Sequence, residues 1–72
     1  MNKFEAAART AKASKMANVL IAHGSDAETA AALPVRGRRM VAELAGCRVP
    51  SETTWALVVE MVRADALFSA VA

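Results

Sequence analysis

Apolar residues recur at helical spacing over the first third of the chain. Residues 3–23 contain neither proline nor glycine. Met16 lies three positions before Val19 and four before Leu20, so the three side chains share one face of a helix. Gly24 follows, and glycine commonly ends a helix because it adopts the left-handed conformation without strain. The pattern predicts a long first helix over residues 3–23.

Two shorter helices are predicted next, separated by a proline. Ser25 and Glu28 have the spacing of a capping box, which predicts that Ser25 caps the second helix. This helix must end before Pro34, because a residue that precedes proline avoids the helical conformation. The third helix is predicted over residues 35–45, with Gly46 just past its end.

The fourth helix is predicted to begin after Ser51 and to have two apolar faces. The face expected in the core consists of Trp55, Val58, Val59, Val62 and Ala66. The opposite face consists of Leu57, Met61, Ala64, Phe68 and Val71. One small domain has a single core, so the second face is expected to form a homodimer interface. The alternative is that the first helix covers both faces.

Composition supports an all-α fold in one domain, residues 1–72. Alanine, the strongest helix former, supplies much of the 56% hydrophobic content. So short a chain buries a modest core, which also favours an oligomer. No apolar run is long enough to span a membrane, and the N-terminal stretch lacks the apolar segment of a secretory signal. The lone Cys47 has no disulfide partner within the chain, and a cytoplasmic location is therefore expected.

The residue types make an enzyme improbable. The chain has one histidine and one cysteine, with no paired acid and base, no metal-ligand spacing and no phosphate-binding glycine loop. We therefore expect no catalytic residue, no metal, no cofactor and no small-molecule ligand.

Positive charge is concentrated at the start of the third helix. Residues 34–50 hold four arginines and one glutamate, a net charge of +3, and three of the arginines are Arg36, Arg38 and Arg39. The helix dipole disfavours cations at this end, which suggests that a polyanion binds there. Residues 1–15 also carry a net charge of +3, from four basic residues and one acidic, but a solvated helix face explains that block equally well.

A short helix, a tight turn and a second helix that begins with arginines form the arrangement with which helix-turn-helix proteins enter the DNA major groove. Residues 25–46 resemble the helix-turn-helix of phage Cro/Xre-type repressors. The matching positions are Ala30, Leu33, Val35, Met40, Leu44 and Gly46. The departures are Pro34 in the turn and Gly37 and Glu43 in the second helix. The loop and helix that follow are similar to those of the short autoregulators that accompany anti-CRISPR genes.

The resemblance implies a role for each exposed position. Met40 and Leu44 are expected to point inward, and Ala42 outward. The residues expected to read bases are Arg36, Gly37, Arg38 and Val41. Those expected to contact phosphates are Arg39, Arg48, Lys15, Ser25 and Thr29. A dimer would then bind a palindromic operator in double-stranded DNA, as an autorepressor of a phage or mobile-element operon.

One alternative function remains open. Residues 34–46 would also suit a small all-α protein-binding module, such as a phage-encoded inhibitor of a host protein. The two hypotheses differ in salt dependence, since binding through phosphates weakens steeply with salt and an apolar interface need not. Binding of the basic first helix to a membrane surface is disfavoured by its lack of a strong aromatic face.

Overall fold

A computed structural model describes residues 2–71, and the secondary structure of these residues is helical without strands. Within this range the helices are α1 (Lys3–Ala22), α2 (Ala27–Ala32), α3 (Val35–Ala45) and α4 (Glu52–Val71). The predicted all-α class and the order of four helices are confirmed. Residues 1 and 72 of the predicted domain lie outside the described residues.

The first helix ends where the sequence predicts. His23 is its last, capping residue, and Gly24 adopts a left-handed conformation with φ of +75°. The Ser25 amide donates to the Leu20 carbonyl oxygen at 3.0 Å, which satisfies one of the carbonyl groups left free at the helix end.

The second helix is capped by Asp26, and the predicted capping role of Ser25 is wrong. The Asp26 Oδ1 atom accepts a hydrogen bond from the Thr29 amide at 2.7 Å. Ser25 is unsuited to this role because its own amide still completes the end of α1. The cap therefore lies one residue later than the Ser25–Glu28 spacing indicates.

Proline and glycine set the limits of α3. Leu33 is extended, with ψ of 129°, and Pro34 occupies the N-cap position without a capping side chain. Gly46 adopts φ of +70°, and the Cys47 amide donates to the Ala42 carbonyl oxygen at 2.8 Å. The predicted bounds of 35–45 are confirmed.

The core is formed where α4 meets α1 and α2, and α3 packs against α1. Ser51 Oγ accepts from the Thr54 amide at 3.1 Å, which confirms the predicted cap and fixes the first turn of α4. The Trp55 indole N–H then donates to the Ala30 carbonyl oxygen at 2.8 Å and joins α4 to α2. The buried hydrophobic residues are Ala13, Met16, Ala17, Leu20, Ala27, Ala30, Val41, Ala42, Trp55, Val58, Val59 and Val62.

The core covers only the first three turns of α4. Ala66, predicted in the core, is exposed, because the buried residues of α1 extend only from Ala13 to Leu20 and reach no further along α4. On the second apolar face, Leu57 and Met61 are partly buried against the core, whereas Phe68 is 75% exposed. The first helix therefore covers part of this face and leaves its outer end open.

Candidate nucleic-acid interface

The outward surface of α3 combines basic, apolar and acidic side chains. Arg36 and Arg39 are exposed in its first half, followed by Met40, Glu43 and Leu44. Met40 is 64% and Leu44 63% exposed, although both were expected to point inward. We call these five residues the outer face of α3.

The opposite side of α3 is buried, and it contains residues that were expected to face outward. Val41 is 8% and Ala42 1% exposed, so the expectation that Val41 reaches a base edge is wrong. The reason is packing. α3 packs against α1, and its small residues Val41 and Ala42 belong to the core, so the larger Met40 and Leu44 are turned to the surface.

Arg38, an expected base reader, is held against the protein. Its Nε donates to the Leu33 carbonyl oxygen at 3.0 Å, and its Nη1 lies 2.7 Å from Glu52 Oε1. Its guanidinium carbon lies 5.5 Å from the centre of the Trp55 ring, and its side chain is only 16% exposed. These contacts contradict the expected outward position and make Arg38 a positioning residue that fixes the first turn of α3 on α4.

Gly37 is half-buried and accommodates a protein side chain. A Cβ atom at this position would lie 2.8 Å from Leu33 Cδ2. The absence of a side chain therefore lets Leu33 pack over α3, which accounts for Gly37 without a DNA contact.

The remaining two arginines are free of carboxylates. In the described part of the chain the arginines that form ion pairs are Arg38 and Arg63, whereas Arg36 and Arg39 form none. The first turn of α3 also lacks an acidic residue and a capping side chain. Both features leave the positive end of the helix dipole beside two exposed cations, which is unfavourable until an anion binds.

The expected phosphate contacts other than Arg39, which is exposed on α3, lie on four different parts of the fold. Arg48 is exposed in the connection between α3 and α4, and Lys15 is exposed on α1. Thr29 is exposed on α2, but the hydrogen bond from its amide lowers the pKa of Asp26 and keeps a negative charge next to it. That charge is unfavourable for a phosphate at Thr29. Ser25 is half-buried.

An apolar groove between α1 and α3 was not predicted from the sequence. Val19, Leu20 and His23 line it on the α1 side, and Leu33, Gly37, Met40, Val41 and Leu44 on the α3 side, with Ser25 at the connection. His23 is held at its edge by a contact of 2.8 Å between Nδ1 and the Val19 carbonyl oxygen. The sequence feature that could have indicated this groove is the number of large apolar residues in α3, because the buried side of so short a helix cannot hold all of them.

Residues 2–71 contain no group of three or more histidine, cysteine or acidic side chains arranged to hold a metal ion. None of the four described helices has the length and apolar character of a membrane span. Comparison with protein-family models, curated proteins and solved structures finds no match to the chain.

Proposed function

We propose that the protein is a sequence-specific DNA-binding regulator that inserts the outer face of α3 into the major groove. The observation that carries the proposal is the pair of exposed arginines, Arg36 and Arg39, at an uncapped helix N-terminus without a nearby acid in the described structure. A phosphate backbone supplies the negative charge that this helix end lacks.

The outer face offers a chemically distinct group for several bases. An arginine donates two hydrogen bonds to guanine O6 and N7, a carboxylate such as Glu43 accepts from cytosine N4, and an apolar side chain such as Met40 contacts the thymine methyl group. We assign base reading to Arg36, Arg39, Met40 and Glu43, in place of Gly37, Arg38 and Val41. Arg48 and Lys15 then remain as candidates for phosphate contacts.

In this proposal the protein acts as a homodimer on a palindromic operator. A second copy bound through α4 would present two α3 helices to successive major grooves, about one turn of DNA apart. In this proposal regulation follows from occupancy of the operator. Autorepression of a phage or mobile-element operon in the cytoplasm is the simplest such role.

The test is fluorescence anisotropy of the protein with DNA from upstream of its own gene and with a scrambled duplex, at two salt concentrations. We expect tight binding to the native duplex that weakens steeply with salt. Arg36→Ala should reduce the preference for native over scrambled DNA by about tenfold or more, because a bidentate arginine–guanine contact is worth about 1–3 kcal/mol.

Two further variants separate base-specific contacts from general attraction to the phosphate backbone. Arg48→Ala should weaken binding to both duplexes equally and reduce the salt slope by about 1, as expected for a phosphate contact. Lys12→Ala, which also removes one positive charge but from a residue of α1 to which no DNA contact is assigned, serves as the control and should change little. Binding that is equal for both duplexes, or insensitive to salt, would contradict the proposal.

A protein-binding module is the second candidate, and the α1/α3 groove favours it. Met40 and Leu44 expose apolar surface beside Val19, as a groove for an amphipathic helix would. If the protein binds neither duplex, this groove becomes the surface to investigate. Leu44→Asp would then abolish capture of a partner while leaving the buried side of α3 intact.

A further inference from the structure

The outer faces of α1 and α4 form one continuous surface. Ser14, Ala17, Asn18 and Ile21 of α1 line a shallow cavity together with Met61, Ala64, Asp65 and Phe68 of α4. On α1 the same face continues at helical spacing through Ala11 and Ala7 to Phe4, which is 76% exposed. We call this surface the α1/α4 face.

The spacing on α4 is that of a helix-packing seam. Leu57, Met61, Ala64, Phe68 and Val71 follow one another at intervals of four, three, four and three residues, the repeat of a coiled-coil interface. The partner helix α1 presents mainly small residues on its part of the face, which allows another helix to approach closely. Both helices are therefore shaped to receive further helices.

The chain exposes more surface than a monomer of its size. Its accessible surface is 4892 Å², whereas a monomeric protein of 7.6 kDa exposes about 4,300 Å². The excess of roughly 600 Å² approaches one partner's share of a standard interface, about 800 Å². Phe4, Phe68 and Val71, all at least three-quarters exposed, contribute to it on the α1/α4 face.

The charges at the border of this face identify the occupant. α1 carries four basic residues and one acidic, and α4 carries one basic residue and three acidic. By helical position, Lys3 and Lys15 border the face on α1, and Asp65 and Glu60 border it on α4, where Glu60 is also paired with Arg63. A surface that is basic on one half and acidic on the other is complementary to itself after a two-fold rotation.

We infer that the α1/α4 face binds a second copy of this chain, with α1 of each copy opposite α4 of the other. The result is a four-helix interface in which each acidic α4 border meets the basic α1 border of the partner. This deepens the homodimer of the proposed function, because it assigns half of the interface to α1, which was not expected to take part.

The test is the mass of the protein by sedimentation equilibrium in the absence of DNA, so that its outcome does not depend on operator binding. The wild type should be a dimer, twice 7.6 kDa. Phe4→Asp and Phe68→Asp should each raise the dimer dissociation constant by at least tenfold. Both side chains are exposed, so the helical circular dichroism spectrum should remain unchanged. Val49→Asp, at an exposed apolar residue outside this face, is the matched control.

Charge reversal distinguishes a dimer in which α1 packs against α4 of the partner from one in which α4 packs against α4. Lys3→Glu with Lys15→Glu places acidic residues opposite the acidic α4 of the partner and should weaken the dimer about tenfold at low salt. Lys12→Glu changes charge on the same helix away from this face and should have a smaller effect. Adding Asp65→Lys to the Lys3/Lys15 variant should restore much of the affinity.

Two outcomes would overturn the inference. The first is a wild type that stays monomeric at concentrations up to about 100 µM, which would place any dimer dissociation constant above that value. The second is a dimer that Phe68→Asp disrupts but that Phe4→Asp and the Lys3/Lys15 variant leave intact, which would place α4 against α4. In either case the anisotropy measurement would still decide DNA binding separately.

Discussion

At the scale of single residues, short-range hydrogen bonds decide where α2 begins. Asp26 is fully exposed, yet its carboxylate accepts the Thr29 amide, and its pKa is lowered chiefly by that hydrogen bond and further by one from the Thr29 side chain. The charged form is thus favoured in the folded state, which links the stability of this helix start to pH.

We predict that Asp26→Asn leaves stability nearly unchanged at neutral pH and removes a loss seen in the wild type in acid. Asparagine caps a helix about as well as aspartate but does not ionise. Because the folded pKa is lowered, the contribution of Asp26 is present above its ordinary value of 3.8 and is lost as the pH falls through the folded value. Urea unfolding of both proteins from pH 6 to pH 2 measures the difference. An unchanged difference at every pH would contradict this prediction.

At the scale of elements, the helices were predictable and the rotation of α3 was not. Gly24, Pro34, Gly46 and Ser51 act on their immediate neighbours, so the helix limits follow from local sequence. The buried side of α3 depends instead on its packing against α1, which lies far away along the chain. The inward positions that the helix-turn-helix resemblance implied for Met40 and Leu44 are therefore wrong.

The candidate site was accordingly predictable in part. The position of the arginine cluster at the start of α3 follows from the sequence. Which of its arginines are exposed and which one contacts the protein does not. Arg38 is withdrawn by Glu52 and Trp55, which are brought to it only by packing of α4. Arg36 and Arg39 lie one or two positions away and remain exposed.

Arg38 is predicted to contribute to the attachment of α3 to α4. Arg38→Ala should lower the free energy of unfolding by about 1–2 kcal/mol, because it removes a charged donor from the Leu33 carbonyl and an ion pair with Glu52. Arg38→Lys should recover only a small part, since lysine lacks the planar fork that serves both partners. Urea denaturation measures the effect. Arg36→Ala, an exposed arginine on the same turn, should change stability by less than about 0.5 kcal/mol.

At the scale of the whole molecule, the C-terminal end of α4 exposes apolar residues that no other described part of the chain buries. Its residues 64–71 are all exposed, and Leu67, Phe68 and Val71 are among them. A helix that is apolar around most of its circumference is normally buried. The stability of the chain should therefore depend on assembly.

We predict that the melting temperature rises with protein concentration, by about 3–5 °C for each tenfold increase, because only the folded chain forms the dimer. Phe68→Asp should melt at a lower temperature that does not vary with concentration. Differential scanning calorimetry from 10 µM to 1 mM measures both. A wild type with a constant melting temperature over this range would show that the exposed end of α4 does not contribute to folding stability.

Because one side of α3 is buried and the other is exposed, amino-acid substitutions on the two sides should affect folding differently. The buried contacts of the helix are made by its inner residues, among them Arg38, Val41 and Ala42. Substitutions at Arg36, Arg39, Met40 and Glu43 therefore escape the constraint of folding, since surface changes of this kind alter stability by less than about 0.5 kcal/mol. Folding therefore constrains the inner residues of α3 and leaves these four outer residues free to vary. A library randomised at these four positions would retain the fold in most members and offer a new recognition surface in each.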